Sequence, residues 1–135
     1  MKINIDSLLN FNKGRQFLLS EFCVYCAKKL PITGDFNINI VSERSQYGIG
    51  TTAAYIVGEN TCYIYGKNRA IPDIMRSIAH EMTHMMQDQL GLINGQIRDA
   101  GGFHEDQANS RAGELLKLFV NEKDNNKSVY EHKKY

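Results

Sequence analysis

The sequence predicts an α+β domain: an N-terminal helix, a small mixed or antiparallel sheet of about three strands, and two further helices. Three observations carry this. Apolar residues recur at helical spacing in three separate stretches, residues 36–41 alternate apolar and polar, and the short "GENT" segment separates two strand-like runs closely enough for a hairpin. At 135 residues with 42% hydrophobic content, the chain fits one domain with a modest core. Residues 1–122 are expected to form that domain, and the polar residues 123–135 a mobile or loosely docked tail.

The first helix is expected from about Ser7 to Lys29, where Leu18, Phe22 and Cys26 share one face and Leu19, Cys23 and Leu30 lie beside it. Asp6 or Ser7 can cap its start, and Pro31 and Gly34 end it. Phe36 to Val41 reads as a half-buried strand. Thr51 to Val57 and Cys62 to Gly66 read as an antiparallel hairpin. Pro72 suits the first turn of a second helix, which runs to about Leu90 and stops at Gly91. The glycine-rich "GLINGQIRDAGG" is a loop, and Gly101 and Gly102 permit a tight turn out of it. A last helix starts near Gly102 or Phe103 and reaches about Val120, with Ala108, Ala112, Leu115, Leu116 and Phe119 as its apolar stripe.

Bulk properties exclude several classes. A net charge of +1 gives no overall attraction to nucleic acid or membrane. No apolar run approaches the roughly 18 residues of a membrane span, and "MKINIDSLLNF" does not read as a secretory signal. Three cysteines, an odd number, fit a reducing compartment: the cytoplasm, or a virion assembled in it. Cys23 and Cys26 spell C-x-x-C, but inside an expected helix, and Cys62 alone is left to complete a four-ligand site. Core packing is the reading for that pair.

The second helix carries His80-Glu81-Met82-Thr83-His84. Residues four apart project from nearly the same direction, so both imidazoles can reach one ion. Ile74, Ile78, Met82 and Met85 form a separate apolar stripe. Glu81 is turned by about 100° from His80. It stands where a base must be to take a proton from water at the ion's open position. H-E-x-x-H on a helix thus supplies two nitrogen ligands and a base for a zinc ion.

Catalytic zinc usually has a third protein ligand. A close third histidine is absent, because Leu90 holds its position. The last helix offers His104 and Glu105 in its first turn. Glu105, Asn109, Ala112 and Leu116 share a face that turns apolar further along, so the face points inward from Glu105 onward. Asn109, one turn on, can also accept a hydrogen bond from the free ring N–H of a ligating histidine. His104 either flanks the site and helps hold an oxyanion or is a solvated residue at a helix start. Ala108 and Ala112 let the two helices approach closely.

These residues together resemble the gluzincin group of zinc metallopeptidases. The resemblance rests on His80-Glu81-Met82-Thr83-His84 and on Glu105-Asp106-Gln107-Ala108-Asn109, which looks like the E-x-x-A-D/N form of that group's glutamate helix. It covers residues 50–120 and implies a zincin-like fold of the minimal single-domain kind. It implies that His80, His84 and Glu105 bind Zn2+, and that Glu81 activates water and then protonates the leaving amine. Asn109 stands where many relatives have aspartate, which implies weaker orientation of its histidine. Relatives often use a Tyr or His to stabilise the oxyanion; Tyr63, Tyr65, His104 and Tyr130 are the candidates. The resemblance further implies that an extended protein or peptide substrate pairs with an edge strand before the active helix, here Cys62 to Gly66. A short protease of this kind needs restraint, from a restricted substrate or from a regulatory or assembly partner. Two other readings stand beside proteolysis: an inactive zincin-like module for protein binding or particle assembly, and a metal-dependent hydrolase of non-protein amides. A structural site has no need of Glu81, and an edge strand able to pair with a peptide favours proteolysis over the last reading.

Overall fold

The computed structural model describes residues 1–93, 102–122 and Val129. In chain order these form β1 (Lys2–Ile5), α1 (Lys13–Lys29), β2 (Asn37–Val41), β3 (Ala53–Ile56), β4 (Thr61–Tyr65), α2 (Ile71–Gln89) and α3 (Phe103–Glu122). Three helices and one four-stranded mixed sheet make the expected α+β architecture. The strand order is β1-β2-β4-β3. β1, β2 and β4 run parallel, and β3 closes the sheet antiparallel to β4. The expected hairpin is therefore present, with Tyr55 opposite Cys62 and Ala53 opposite Ile64.

The structure differs from the sequence reading in three places. Lys2–Ile5 form an additional strand, held at its ends by Lys2 N–H to Phe36 O and Asp6 N–H to Ile40 O, both at 2.9 Å. α1 starts at Lys13, not near Ser7. Asp6 instead caps a single 3-10 turn over Ser7–Leu9, accepting from Leu8 N–H at 3.0 Å. Asn10 then takes a left-handed conformation (φ 55°), which no helix can pass through, and Asn12 caps α1 by accepting from Arg15 N–H. Third, Thr61–Tyr65 is an interior strand; the edges of the sheet are β1 and, beside β4, β3. The loop expected over residues 91–102 and the expected tail lie largely outside the described residues. Val129, within the tail, is buried in the core.

Alternation along the strands sorts the sheet's faces. Ile38, Ile40, Cys62 and Ile64 are fully buried on one face, while Asn37, Asn39, Tyr63 and Tyr65 take the other. α2 packs on the buried face against β3 and β4, and α3 and α1 cover α2 in turn. Thirteen of the nineteen residues of α2 are consequently buried, which makes it the central helix. Its histidines therefore lie on the side packed against α3, His84 buried and His80 partly exposed. Two glycines fix its entry and exit. A Cβ on Gly66, just after β4, would lie 2.8 Å from Ile40 Cγ2, so the chain leaves the sheet only with glycine there. At the far end Gly91 (φ 73°) donates to Asp88 O, and Leu92 N–H reaches back to Gln87 O at 2.9 Å. This pair of bonds is the Schellman stop. Among the described residues no helix is long and apolar enough to cross a membrane.

Candidate metal centre

The C-terminal half of α2 presents His80 and His84 one turn apart on the side packed against α3. Their Nε2 atoms lie 3.2 Å apart, with the rings at 82° to one another. α3 approaches closely because Ala108 and Ala112 at the interface are small and fully buried. That approach brings in Glu105 from the helix's first turn, a position where a carboxylate also suits the helix dipole. Glu105 Oε1 is 2.5 Å from His84 Nε2, and Oε2 is 3.4 Å from His80 Nε2. One ligand atom from each of the three residues falls within 4.8 Å of the others. Glu105 Oε1 is buried and receives no hydrogen bond. Two ring nitrogens and a carboxylate oxygen thus converge. Among the described residues this is a group that could hold a metal ion.

His84 is fully buried, whereas His80 reaches solvent through the site's mouth. Burial and the neighbouring His84 ring lower the His80 pKa, outweighing the opposing pull of Glu105 and of the Asn109 hydrogen bond. The result favours the neutral imidazole, the form that binds metals. Asn109 therefore touches His80, as its position one turn after Glu105 suggested. The partner of His84 is Gln87, which the sequence reading did not single out: Gln87 Oε1 lies 2.8 Å from His84 Nδ1. Gln87 is fully buried, and its Nε2 donates to His104 O at 3.0 Å and to Gln107 Oε1 at 2.8 Å. The available signal was the spacing, since residues three apart on a helix are neighbours.

Glu81 lies beside the three-atom group, not within it. Its Oε2 is 3.9 Å from His80 Nε2, and the residue is 9% exposed. Both His80 and Glu81 line a cleft of about 540 Å³ that also takes in Glu105, Asn109, Ser77 and Arg69. Gly50, Thr51, Thr52 and Ala53, the run leading into β3, form its opposite wall. Arg69 braces that region: it donates to Tyr65 O at 2.7 Å, Asp73 O at 3.0 Å and Ser77 Oγ at 2.8 Å.

The other sequence candidates stand elsewhere. Tyr63 and Tyr65 point to the face of the sheet away from α2, because Cys62 and Ile64 point toward it. Tyr63 stacks on Tyr47 at 4.9 Å, and Arg44 lies over the Tyr65 ring at 4.2 Å. His104 contributes its backbone carbonyl to Gln87 and rests its ring edge-on against Phe103, and it does not line the cleft. Tyr130 lies outside the described residues. The strand bordering the cleft is β3, in place of the expected Cys62 to Gly66, since β4 has both of its edges paired. Comparison with protein-family models, curated proteins and solved structures returns no match for this chain.

Proposed function

We propose that this chain is a zinc-dependent metallopeptidase of the gluzincin type, cleaving an extended segment of protein. The observation that carries the reading is the convergence of His80, His84 and Glu105 at the edge of a cleft, with the Glu81 carboxylate beside them. Zinc–nitrogen bonds of about 2.0–2.1 Å at tetrahedral angles separate ligand atoms by about 3.3 Å. The 3.2 Å between the two Nε2 atoms and the 3.4 Å from His80 to Glu105 fit that edge. The 2.5 Å from His84 to Glu105 is shorter and must open on loading.

When bound, zinc polarises the scissile carbonyl and brings the pKa of its water toward about 7. The residues supply the rest. Glu81 takes a proton from the attacking water and returns it to the departing amine. Asn109 and Gln87 keep the imidazoles aimed inward. The edge of β3, which pairs with no strand among the described residues, supports an extended peptide through backbone hydrogen bonds, which bind many sequences with little preference. The small side chains of Gly50 to Ala53 leave room for it. Proteolysis of this kind fits a protein acting inside a cell, or in a particle assembled there, under the restraint of a partner or a narrow substrate.

Zinc titration of the metal-free protein and a peptide-library digest test this, with wild type set against Glu81→Gln. Stoichiometric zinc binding by both proteins and cleavage by wild type alone are expected. A folded protein that takes up no zinc overturns the proposal. Zinc uptake without cleavage by either protein points instead to a binding or assembly module.

A further inference from the structure

We propose that Gln87 is a positioning residue that fixes His84 as its Nδ1–H tautomer and sets the seat of α3 opposite it; as a role at a zinc site, this rests on the metallopeptidase reading above. Gln87 is fully buried, so every polar atom of its amide needs a partner. Its Nε2 faces the backbone carbonyl of His104 at 3.0 Å. A carbonyl oxygen only accepts, so turning the amide over would press Oε1 against it and leave two buried acceptors without a proton. The amide orientation is thereby fixed, and Oε1 faces His84 Nδ1 at 2.8 Å. Since Oε1 only accepts, Nδ1 must carry the hydrogen. Nε2 is then the ring nitrogen left to bind an ion shared with Glu105 and His80. A backbone contact holds the device in place, because Gln87 O accepts from Leu92 N–H in the helix stop.

The same amide grips α3 at His104, one residue before Glu105. One side chain therefore governs the form of one ligand and the placement of another. The two histidines are served unequally: His84 has a fully buried partner, while the partner of His80, Asn109, lies at the surface.

Nitrogen-15 NMR of the metal-free protein at mildly alkaline pH, combined with zinc affinity, tests the inference. Wild type should show His84 as the Nδ1–H form. Gln87→Met keeps the bulk but removes acceptor and donor; it should mix the tautomers and weaken zinc binding by about 10- to 100-fold. Gln87→Glu keeps the acceptor facing His84 Nδ1, at the cost of a second acceptor against His104 O, and should restore the Nδ1–H form. A residue serving only to tie α2 to α3 would leave His84 in Gln87→Glu with the mixed tautomers of Gln87→Met, and that result overturns the inference. So does an Nε2–H His84 in wild type, or wild-type zinc affinity in Gln87→Met. If Gln87→Met does not fold, the wild-type tautomer and Gln87→Glu decide. A wild-type protein that binds no zinc yet shows Nδ1–H on His84 defeats the metallopeptidase reading and upholds the tautomer assignment.

Discussion

Tyr55 donates its phenolic hydrogen to Asp88 Oδ2 at 2.5 Å, and Gly58 N–H reaches the same oxygen at 2.8 Å. One carboxylate on α2 thus holds both the edge strand β3 and the turn that follows it. Burial, with the Asp88 hydrogen bond, pushes the Tyr55 hydroxyl well above the ordinary phenol range. Tyr55→Phe removes a hydrogen bond to a charged group and should cost about 1.5–3 kcal/mol. Urea unfolding checks this: a lower midpoint at unchanged slope is expected, and an unchanged midpoint would show that the bond contributes nothing.

Glu105 is the only member of the three-atom group that α3 supplies. Glu105→Ala should therefore weaken zinc binding by more than the roughly 10- to 100-fold that loss of an outer hydrogen-bond partner costs. It should leave the far-ultraviolet circular dichroism of the protein unchanged, since Glu105 lies in the first turn of its helix. Zinc affinity equal to wild type would remove Glu105 from the site.

His80 titrates below the ordinary imidazole value of 6.5, chiefly because burial disfavours the imidazolium and then because His84 stands beside it. The unfolded chain therefore takes up this proton at a higher pH than the folded one. The His80 contribution to stability is fully present above 6.5 and is lost as pH falls through the folded pKa. In the metal-free protein the urea midpoint should drop from neutral to mildly acidic pH, and drop less in His80→Gln. Zinc affinity should weaken over the same range, because protons compete for the ring nitrogens.

Cys23, Cys26 and Cys62 are all fully buried. Burial pushes the Cys23 thiol up to about 12 and raises the other two well above their usual range. The thiolate is the reactive form. A thiol reagent should therefore label none of the three in the folded protein and all of them in denaturant, as counted by mass spectrometry. Rapid labelling of the folded chain would show that the C-x-x-C pair opens to solvent.

What could be read from the sequence was what depends on local spacing. The hairpin, the span of α2 between Pro72 and Gly91, and the shared side of His80 and His84 all follow from neighbours within a turn or a tight loop. The facing of Glu105 was also legible, because its helix turns apolar along the same stripe. Sheet order was not. β1 is four residues long and pairs in parallel with β2, a partner that no local pattern names. Placing β2 between β1 and β4 made β4 interior and moved the free edge to β3. The start of α1 is hidden in the sequence because Leu8 and Leu9 continue its apolar content into a turn that Asn10 breaks. Gln87 is not legible as a partner because a glutamine three residues along a helix from a histidine is common, and only the fold shows that both are buried together.

The outermost position of β1 matters beyond the sheet itself. Proteolytic trimming ahead of Asp6 would bare the row of N–H and C=O groups that β2 now gives to β1. Asn37–Val41 would then become a raw boundary five residues long, with isoleucines already set at alternate positions, ready to pair with the same segment of another molecule. A cut far from the histidines would in this way exchange a ladder within one molecule for a ladder between molecules, and self-association would follow.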